Sequence, residues 1–459
     1  MIEPIEPLRR FWHTLIPLPV KYGSEFRRTF EFLQKSQHGS REEIESYQWQ
    51  RIQALVIYAY IHVPYYHQTF DRAGIHPQDI KTRDDYRRLP VLYKEDVVEN
   101  FELLKSDEFE KLAPISTVTS SSTRDGLRLY RSEHSEIFRK AIVWRHFFNI
   151  GFRYRERRAQ LTVPLNFARN MYEMPVDYNE NMLMIDSRAI TLEFAPQIYR
   201  RLQAFRPKML FCQPSNAVMF VEYCRQKGLP PLSIPIVYVL GEKVYPEYHE
   251  IIANYFRGGI VQFYGNRENT ASAGDLEDGR MYINYDFCYL EFESTDGDPV
   301  LGQPADIIST ALENYAFPLI RYHTEDVGVL HGHPDGALRN FPVMEIVGGR
   351  GKDLLLTRNG LILPQTNPFL KSIKFDRYKR IQLEQKSLDD LVVRVVPTSA
   401  FDADSDRQLL ESSFTKYFDG QFKIAVEVVE EISRTSAGKN RYVISDIAIR
   451  HLRESLPKK

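Results

Sequence analysis

Between residues 208 and 263 the chain alternates short apolar runs with amphipathic stretches, and this alternation narrows the fold more than any other feature. Residues 208–212, 234–240 and 259–263 are apolar runs of strand length. Between them, 214–225 and 245–256 carry apolar residues at helical spacing. Strand–helix–strand–helix–strand at this spacing predicts a parallel sheet with right-handed crossovers, because parallel neighbours cannot be joined by a hairpin. Ligands of such sheets bind beyond the carboxyl ends of the strands. Gly241-Glu242 and Tyr264-Gly265 each follow a run directly, so both are expected on that rim.

The flanking regions have a different character. Residues 1–115 read as mostly helical and rich in aromatics, with Ile52, Leu55, Val56 and Ala59 forming a core-facing stripe. Val63-Pro64-Tyr65-Tyr66 and Leu89-Pro90-Val91-Leu92 interrupt that pattern. Toward the C-terminus, 378–383 and 391–396 read as strands. Ser405 is placed to cap a helix with Leu410, Phe414, Tyr417 and Phe418 on its apolar face, and Ile424, Val426 and Val428 form an alternating strand. The expected architecture is α/β: a large multi-layer N-terminal α/β domain with a parallel sheet, residues 1–349, and a small mobile C-terminal α+β domain, residues 350–459.

Composition excludes several classes. An apolar content of 43% in 459 residues supplies a large core and argues against wholesale disorder. The formal net charge of -1, with both signs spread along the chain, argues against a broad nucleic-acid footprint but leaves room for a local basic patch. Cys212, Cys224 and Cys288 form no C-x-x-C pair, so neither a disulfide framework nor a cysteine zinc site is expected, and a reducing cytoplasmic compartment fits. Glu3 and Glu6 near the start, without a long apolar stretch, do not read as a signal peptide. The strongest apolar stretch, 54–63, is too short to span a bilayer.

Five polar segments carry the candidate chemistry. Thr119-Ser120-Ser121-Ser122-Thr123-Arg124-Asp125-Gly126 offers hydroxyls, backbone N–H groups and one cation to phosphate oxygens; alone, it reads first as a solvated polar turn. In Tyr264-Gly265-Asn266-Arg267-Glu268 an aromatic can stack on a base, glycine permits close backbone approach, and a carboxylate can hold Mg²⁺ beside phosphates. Arg321-Tyr322-His323-Thr324-Glu325-Asp326 ends in a carboxylate that can accept ribose hydroxyls, as acidic residues do in dinucleotide folds. Gly349-Arg350-Gly351-Lys352-Asp353 has the glycines of a hinge. Lys439, after Gly438, is a candidate mobile cation for charge developing on a phosphate. His331-Gly332-His333 lacks further ligands nearby and is not read as a metal site.

The order of these segments resembles the adenylate-forming superfamily of acyl-CoA synthetases, peptide-synthetase adenylation domains and luciferases. Within it the chain is most similar to the phenylacetate–CoA ligase branch and its capsule-biosynthesis relatives, on the cues Val63-Pro64-Tyr65-Tyr66 and Leu89-Pro90-Val91-Leu92-Tyr93-Lys94-Glu95-Asp96. The resemblance implies that Ser120, Ser122 and Thr123 lie in the phosphate loop, that Gly241 and Glu242 border the adenine, and that Tyr264, with Gly265 beside it, stacks on the base. It implies Glu268 as the Mg²⁺ ligand, Asp326 on the ribose hydroxyls with Arg350 nearby, Lys352 at the hinge, Gly360 on the thiol tunnel, and Lys439 as the lysine that promotes adenylate formation. Ser121 and Arg124 stand where the family loop has glycine, Arg267 stands before the glutamate in place of a hydroxyl residue, and Glu325 precedes the aspartate in place of glycine. With Cys288 the only cysteine between the last two motifs of the large domain, no zinc is expected.

The resemblance implies an AMP-forming acid–thiol ligase: ATP activates a small carboxylic acid as acyl-AMP, and coenzyme A takes the acyl group. Two alternatives stand beside it. One is an acyl-AMP-dependent amide ligase of polysaccharide or natural-product biosynthesis. The other is a non-catalytic nucleotide-binding or scaffold protein, motivated by Ser121 and Arg124. The residues give neither the acid nor the oligomeric state, and a homodimer is one option.

Overall fold

The structure is a computed structural model that describes residues 18–118, 127–161, 170–294, 298–348, 354–358, 362–364, 377–418, 420–432 and 443–448. The chain divides after Gly348 into a larger and a smaller compact unit.

The larger unit begins with helices α1 (Leu18–Ser36), α2 (Arg41–His62) and α3 (Pro64–Ala73), followed by the short α4 (Arg83–Arg87) and α5 (Lys94–Glu99). Ser40 caps α2 in a capping box with Glu43, satisfying two of the helix's orphan N–H groups. Val63 ends α2 and Pro64 opens α3 at the position where a missing N–H costs nothing. A two-stranded ribbon, β1 (Ile115–Val118) and β2 (Arg128–Arg131), leads to α6 (Glu133–Asn149).

Among the described residues, twelve strands then form one mixed sheet. In chain order they are β3 (Arg158–Leu161), β4 (Val176–Asp177), β5 (Met182–Ile185), β6 (Met209–Cys212), β7 (Ile236–Leu240), β8 (Gly259–Gly265), β9 (Ser272–Asp275), β10 (Met281–Ile283), β11 (Cys288–Glu293), β12 (Pro304–Ala311), β13 (Tyr322–Gly332) and β14 (Val343–Gly348). Their spatial order is β11-β12-β13-β14-β10-β9-β8-β7-β6-β3-β5-β4. The run β8-β7-β6-β3-β5 is parallel throughout, and the remaining pairs are antiparallel. Crossover helices α7 (Ala195–Phe205), α8 (Pro214–Gln226) and α9 (Pro246–Phe256) each have proline in the first turn. The sequence order reverses between neighbours β3 and β6, the kind of switch point that opens a crevice at the strand ends.

Among the described residues, the two largest of three apolar clusters hold most of this unit together. One joins α2 and α3 to Tyr289, Leu312, Phe317 and Tyr322; the other packs α6 on the sheet through Phe138, Phe147, Tyr238 and Phe292. Burying each such aromatic contributes on the order of 2 kcal/mol. No helix among the described residues is long and apolar enough to cross a membrane.

The smaller unit holds the pair β15 (Leu354–Leu356) and β16 (Ile362–Pro364), and a four-stranded sheet of β17 (Tyr378–Gln385), β18 (Asp390–Pro397), β19 (Lys423–Val428) and β20 (Val443–Ile444) in the order β19-β18-β17-β20. Helix α10 (Ala403–Tyr417) covers the sheet through Leu410 and Phe414, which meet Leu391, Val393 and Val395. The fold is thus mixed α/β with a large sheet and a separate C-terminal sheet. One local expectation is corrected: Asp402, not Ser405, caps α10, because the Asp402 carboxylate accepts the Ser405 N–H at 2.8 Å.

Candidate functional site

The carboxyl ends of β7 and β8 collect the described candidates, and β13 reaches the same place. At the end of β7, Gly241 has φ +79°, a left-handed turn that a Cβ would strain. The turn aims Glu242 at the start of α8, where its carboxylate accepts the Ser215 N–H at 3.1 Å and the Ser215 hydroxyl at 2.9 Å. Burial pushes the Glu242 carboxyl up to about 7, against the two Ser215 hydrogen bonds that hold it down. The group therefore carries a partial charge near neutrality. Lys243 turns away to donate to the Val347 carbonyl at 3.1 Å.

Tyr264 and Gly265 were expected just after a strand and are instead the last two residues of β8. The Tyr264 hydroxyl donates to Asp326 Oδ2 at 2.9 Å. Burial, and then the nearby Asp326 charge, raise the phenol well above its ordinary pKa, so Tyr264 stays a hydrogen-bond donor. Asp326 lies inside β13, beside register shifts where β13 meets β12 and β14. Glu325, at φ +65°, and the Asp326 N–H donated to Thr324 Oγ1 at 3.1 Å set its direction.

Glu268 sits in the β8–β9 turn at 5% exposure. Tyr322, the first residue of β13, donates its hydroxyl to Glu268 Oε1 at 3.3 Å. Asn266 folds this turn: its side-chain oxygen accepts the Thr270 and Ala271 N–H groups at 2.9 and 3.2 Å. Arg267 donates to the Val118 carbonyl at 3.2 Å, which fixes the end of β1 against the Glu268 turn. Arg131 donates to the Arg267 carbonyl and pairs with Glu136 at 3.0 Å. The two tyrosine–carboxylate bonds join β8 and its turn to β13, although three strands separate β8 from β13 in the sheet.

A buried cation anchors this arrangement. Arg321, at φ +51° and 4% exposure, meets Glu291 at 3.1 Å, pairs with Glu293, and donates to the Arg87 and Leu89 carbonyls. Leu92 continues that clamp by bridging Tyr322 in parallel. His323 stacks on Tyr93 at 5.3 Å and lies 3.6 Å from Asp306. Sequence reasoning missed Ser215, Tyr322 and Arg321 as site residues. Tyr322 and Arg321 stood in the quoted motif, but nothing in a linear pattern reveals their partners.

The structure thus brings together Gly241, Glu242, Tyr264, Gly265, Glu268 and Asp326 on elements of the larger unit. Ser120, Ser122, Thr123, Arg350, Lys352, Gly360 and Lys439, with Ser121 and Arg124, lie outside the described residues. Glu242 and Tyr264 at the ends of parallel strands, with Asp326 of β13, can orient a hydroxylated ligand, and Glu268 adds an oxygen donor for a hard cation.

Comparison with known proteins agrees with this geometry. The CapK C-terminal domain family matches residues 365–446. The chain is similar to the phenylacetate-coenzyme A ligase of Thermus thermophilus, at 22% identity over 390 residues, covering 81% of this chain and 85% of the relative. It is 23% identical over 391 residues to the phenylacetate-coenzyme A ligase of Escherichia coli, covering 78% and 83%. Its fold is that of 2-hydroxyisobutyryl-CoA ligase, solved in complex with 2-HIB-AMP and CoA: the TM-score is 0.63 at 18% identity, over 91% of this chain and 93% of the other. In sequence the chain is thus similar to phenylacetate–CoA ligases and, over residues 365–446, to the CapK C-terminal domain, and its fold is that of an acyl-CoA ligase.

Proposed function

We propose that the protein is an AMP-forming ligase that activates a small carboxylic acid with ATP and transfers the acyl group to coenzyme A. The observation that carries this reading is the pairing of Tyr264, at the carboxyl end of parallel strand β8, with Asp326 of β13, and of the buried Glu268 in the next turn with Tyr322 of the same β13. In the first half-reaction a carboxylate oxygen of the acid attacks the α-phosphorus of ATP. The new O–P bond forms as the bond to the β-phosphate oxygen breaks, and pyrophosphate leaves. In the second, the thiol sulfur attacks the acyl carbonyl, AMP departs with the electron pair, and the thiol proton passes to solvent.

The chain's own residues supply position and charge. Asp326, held by Tyr264, accepts the ribose hydroxyls; the Tyr264 ring and the Gly241 turn border the base. Glu268, a carboxylate beside substrate phosphates, suits Mg²⁺, which would neutralise charge on those phosphates when bound. By the resemblance of their motifs, the phosphate contacts are assigned to Lys439, Arg350 and the hydroxyls of Ser120, Ser122 and Thr123, the hinge to Lys352 and the thiol tunnel to Gly360. Preorganised donors and cations of this kind act mainly by position and electrostatics. Both co-substrates are cytoplasmic, so the reaction belongs there.

A second reading concerns the acceptor alone, with an amine in place of the thiol. The test is carboxylate-dependent exchange of labelled pyrophosphate into ATP across aryl, fatty and amino acids, with Lys439→Ala as control, followed by trapping with coenzyme A or an amine. Exchange with one acid class, lost in Lys439→Ala, is the expected result. Folded protein that exchanges with no acid would overturn the enzyme reading in favour of a nucleotide-binding scaffold.

A further inference from the structure

Strands β3, β6, β7 and β8 also share a starting rim, at the opposite end of the sheet from Glu242 and Tyr264. The turns that lead into them are residues 151–157, 206–208, 227–235 and 257–258. These turns are stitched edge to edge: Lys208 N–H donates to the Arg157 carbonyl at 2.8 Å, Ile236 N–H to the Lys208 carbonyl at 3.1 Å, and Gly259 N–H to the Pro235 carbonyl at 3.0 Å. The approach is so close that a Cβ on Gly258 would meet the Ile234 carbonyl at 2.0 Å. The four turns therefore present one continuous surface.

That surface is strongly basic in a chain whose formal net charge is -1. The turn into β3 holds Arg153, Arg155 and Arg157, all exposed, against Glu156 alone. Arg206 and Lys208 precede β6, Lys227 opens the turn into β7, and Arg257 precedes β8. The one carboxylate of the four turns, Glu156, is paired with Lys208 at 2.6 Å.

Backbone conformation makes the charge more telling. Arg155, Arg206 and Arg257 have φ of 77°, 50° and 53°, the left-handed region that favours glycine. Arg206 and Arg257 cap the C-terminal ends of α7 and α9, where a cation also complements the helix dipole. Arg155 ends no helix, so the dipole does not account for it. Glycine would satisfy all three backbone positions with less strain, so what arginine adds there is its side chain. Beside Arg206 lies an open groove of about 480 Å³, floored by Leu202, Leu232 and Ile234 and flanked by Pro231 and Pro235.

We propose that this rim is a docking surface for an extended acidic segment of a partner protein, with apolar side chains in the groove and carboxylates over Arg155, Arg206 and Arg257. Charge complementarity selects an acidic partner. The concave groove suits side chains rather than a flat bilayer, and none of the exposed large apolar residues among the described residues falls in these four turns, so nothing is positioned to insert into lipid. The surface stands apart from the strand-end site, and the inference does not depend on the reaction assigned there.

The test uses the full chain and a fluorescein-labelled peptide of about twelve residues, alternating glutamate with leucine or proline, read by anisotropy at two salt concentrations. Wild-type protein is expected to bind it, more weakly as salt rises. The triple variant Arg155→Gly, Arg206→Gly, Arg257→Gly should lose about tenfold or more in affinity while unfolding at the same or a higher temperature, since glycine relieves the left-handed positions. The matching triple Arg→Lys variant should keep most of the binding. The proposal is overturned if the wild type ignores the peptide, if the glycine variant binds equally well, or if that variant unfolds at a lower temperature. It also falls if phosphatidylserine vesicles or a DNA duplex bind this rim more tightly than the peptide, or if the only charge-dependent binding is self-association.

Discussion

Replacing Arg321 by methionine removes the cation on which the start of β13 depends. The guanidinium is 5% exposed at its side chain, and its partners Glu291 and Glu293 are 0% and 8% exposed. Breaking a buried pair by deleting one partner costs about 3–5 kcal/mol, because the charge left behind has neither water nor counter-ion. Here two carboxylates lose the same partner, and the Arg87 and Leu89 carbonyls lose their donor. Glu291 keeps Arg87 as a second cation at 3.8 Å, so the expected loss is about 3–4 kcal/mol for unfolding of the larger unit near pH 8. Its pH dependence has a fixed sign. Glu291 already titrates at about 7, raised chiefly by burial and held down by Arg321. Without the arginine, Glu291 binds a proton still more readily in the folded than in the unfolded state, so stability falls as pH climbs through its folded pKa. The deficit should shrink on moving from pH 8 to pH 5. Urea titrations at the two pH values, monitored by tryptophan fluorescence, measure it; adding Glu291→Gln and Glu293→Gln should recover part of the loss at pH 8. A deficit below about 1 kcal/mol, or one equal at both pH values, would show that this network does not hold the site together.

Three further outcomes are expected. Tyr264→Phe and Asp326→Asn should be coupled by about 1–2 kcal/mol in a double-mutant cycle on ATP binding by calorimetry, since the hydroxyl meets a carboxylate; additive effects would disconnect the two residues. Glu242→Gln should leave stability unchanged at pH 5 and raise it relative to wild type at pH 8, because the folded carboxyl titrates at about 7 and its charged form is disfavoured by burial; thermal melts at both pH values check this. His134, raised in pKa by its hydrogen bond to Glu313 and by Glu25, contributes stability below its unfolded pKa that is lost as pH rises through the folded value, so His134→Gln should lower the melting temperature more at pH 6 than at pH 9.

The parallel half of the sheet was legible because its strands are short continuous apolar runs punctuated by proline-started helices. Residues 236–240 and 259–265 lie almost where periodicity placed them. The antiparallel half from β9 to β14 was not. Strand β11 is buried at every position yet includes Glu291 and Glu293, and β9 and β12 bury Ser272, Asp275, Ser309 and Thr310. Polar residues buried on both faces erase the alternation that marks a half-exposed strand. Their burial is tolerable only through partners distant in sequence, such as Arg321 for the two glutamates or Thr270 for Ser309 at 2.6 Å. Similarly, β1 is largely exposed although its sequence reads as apolar. The misplaced cap of α10 has a local cause: Asp402 and Ser405 are both capping residues three apart, and only geometry decides between them.

For the site, a linear reading supplies residue types and their order but not the bonds that aim them. Tyr264 and Asp326 are 62 residues apart, and Glu268 and Tyr322 are 54 apart. Each pair forms because β8 and β13, remote in the strand order, converge where the sheet changes from parallel to antiparallel pairing. That convergence explains why Leu89-Pro90-Val91-Leu92, far from any candidate catalytic residue, belongs with the site. Leu89 accepts from Arg321, and Leu92 exchanges backbone bonds with Arg321 and His323 at 2.9 Å. The N-terminal helices thus end in a clamp on the residues that lead to Asp326. A motif that read as a helix break and a family cue also holds the residues that lead to Asp326, and its loss should be felt at the proposed nucleotide site before it is felt in the helices.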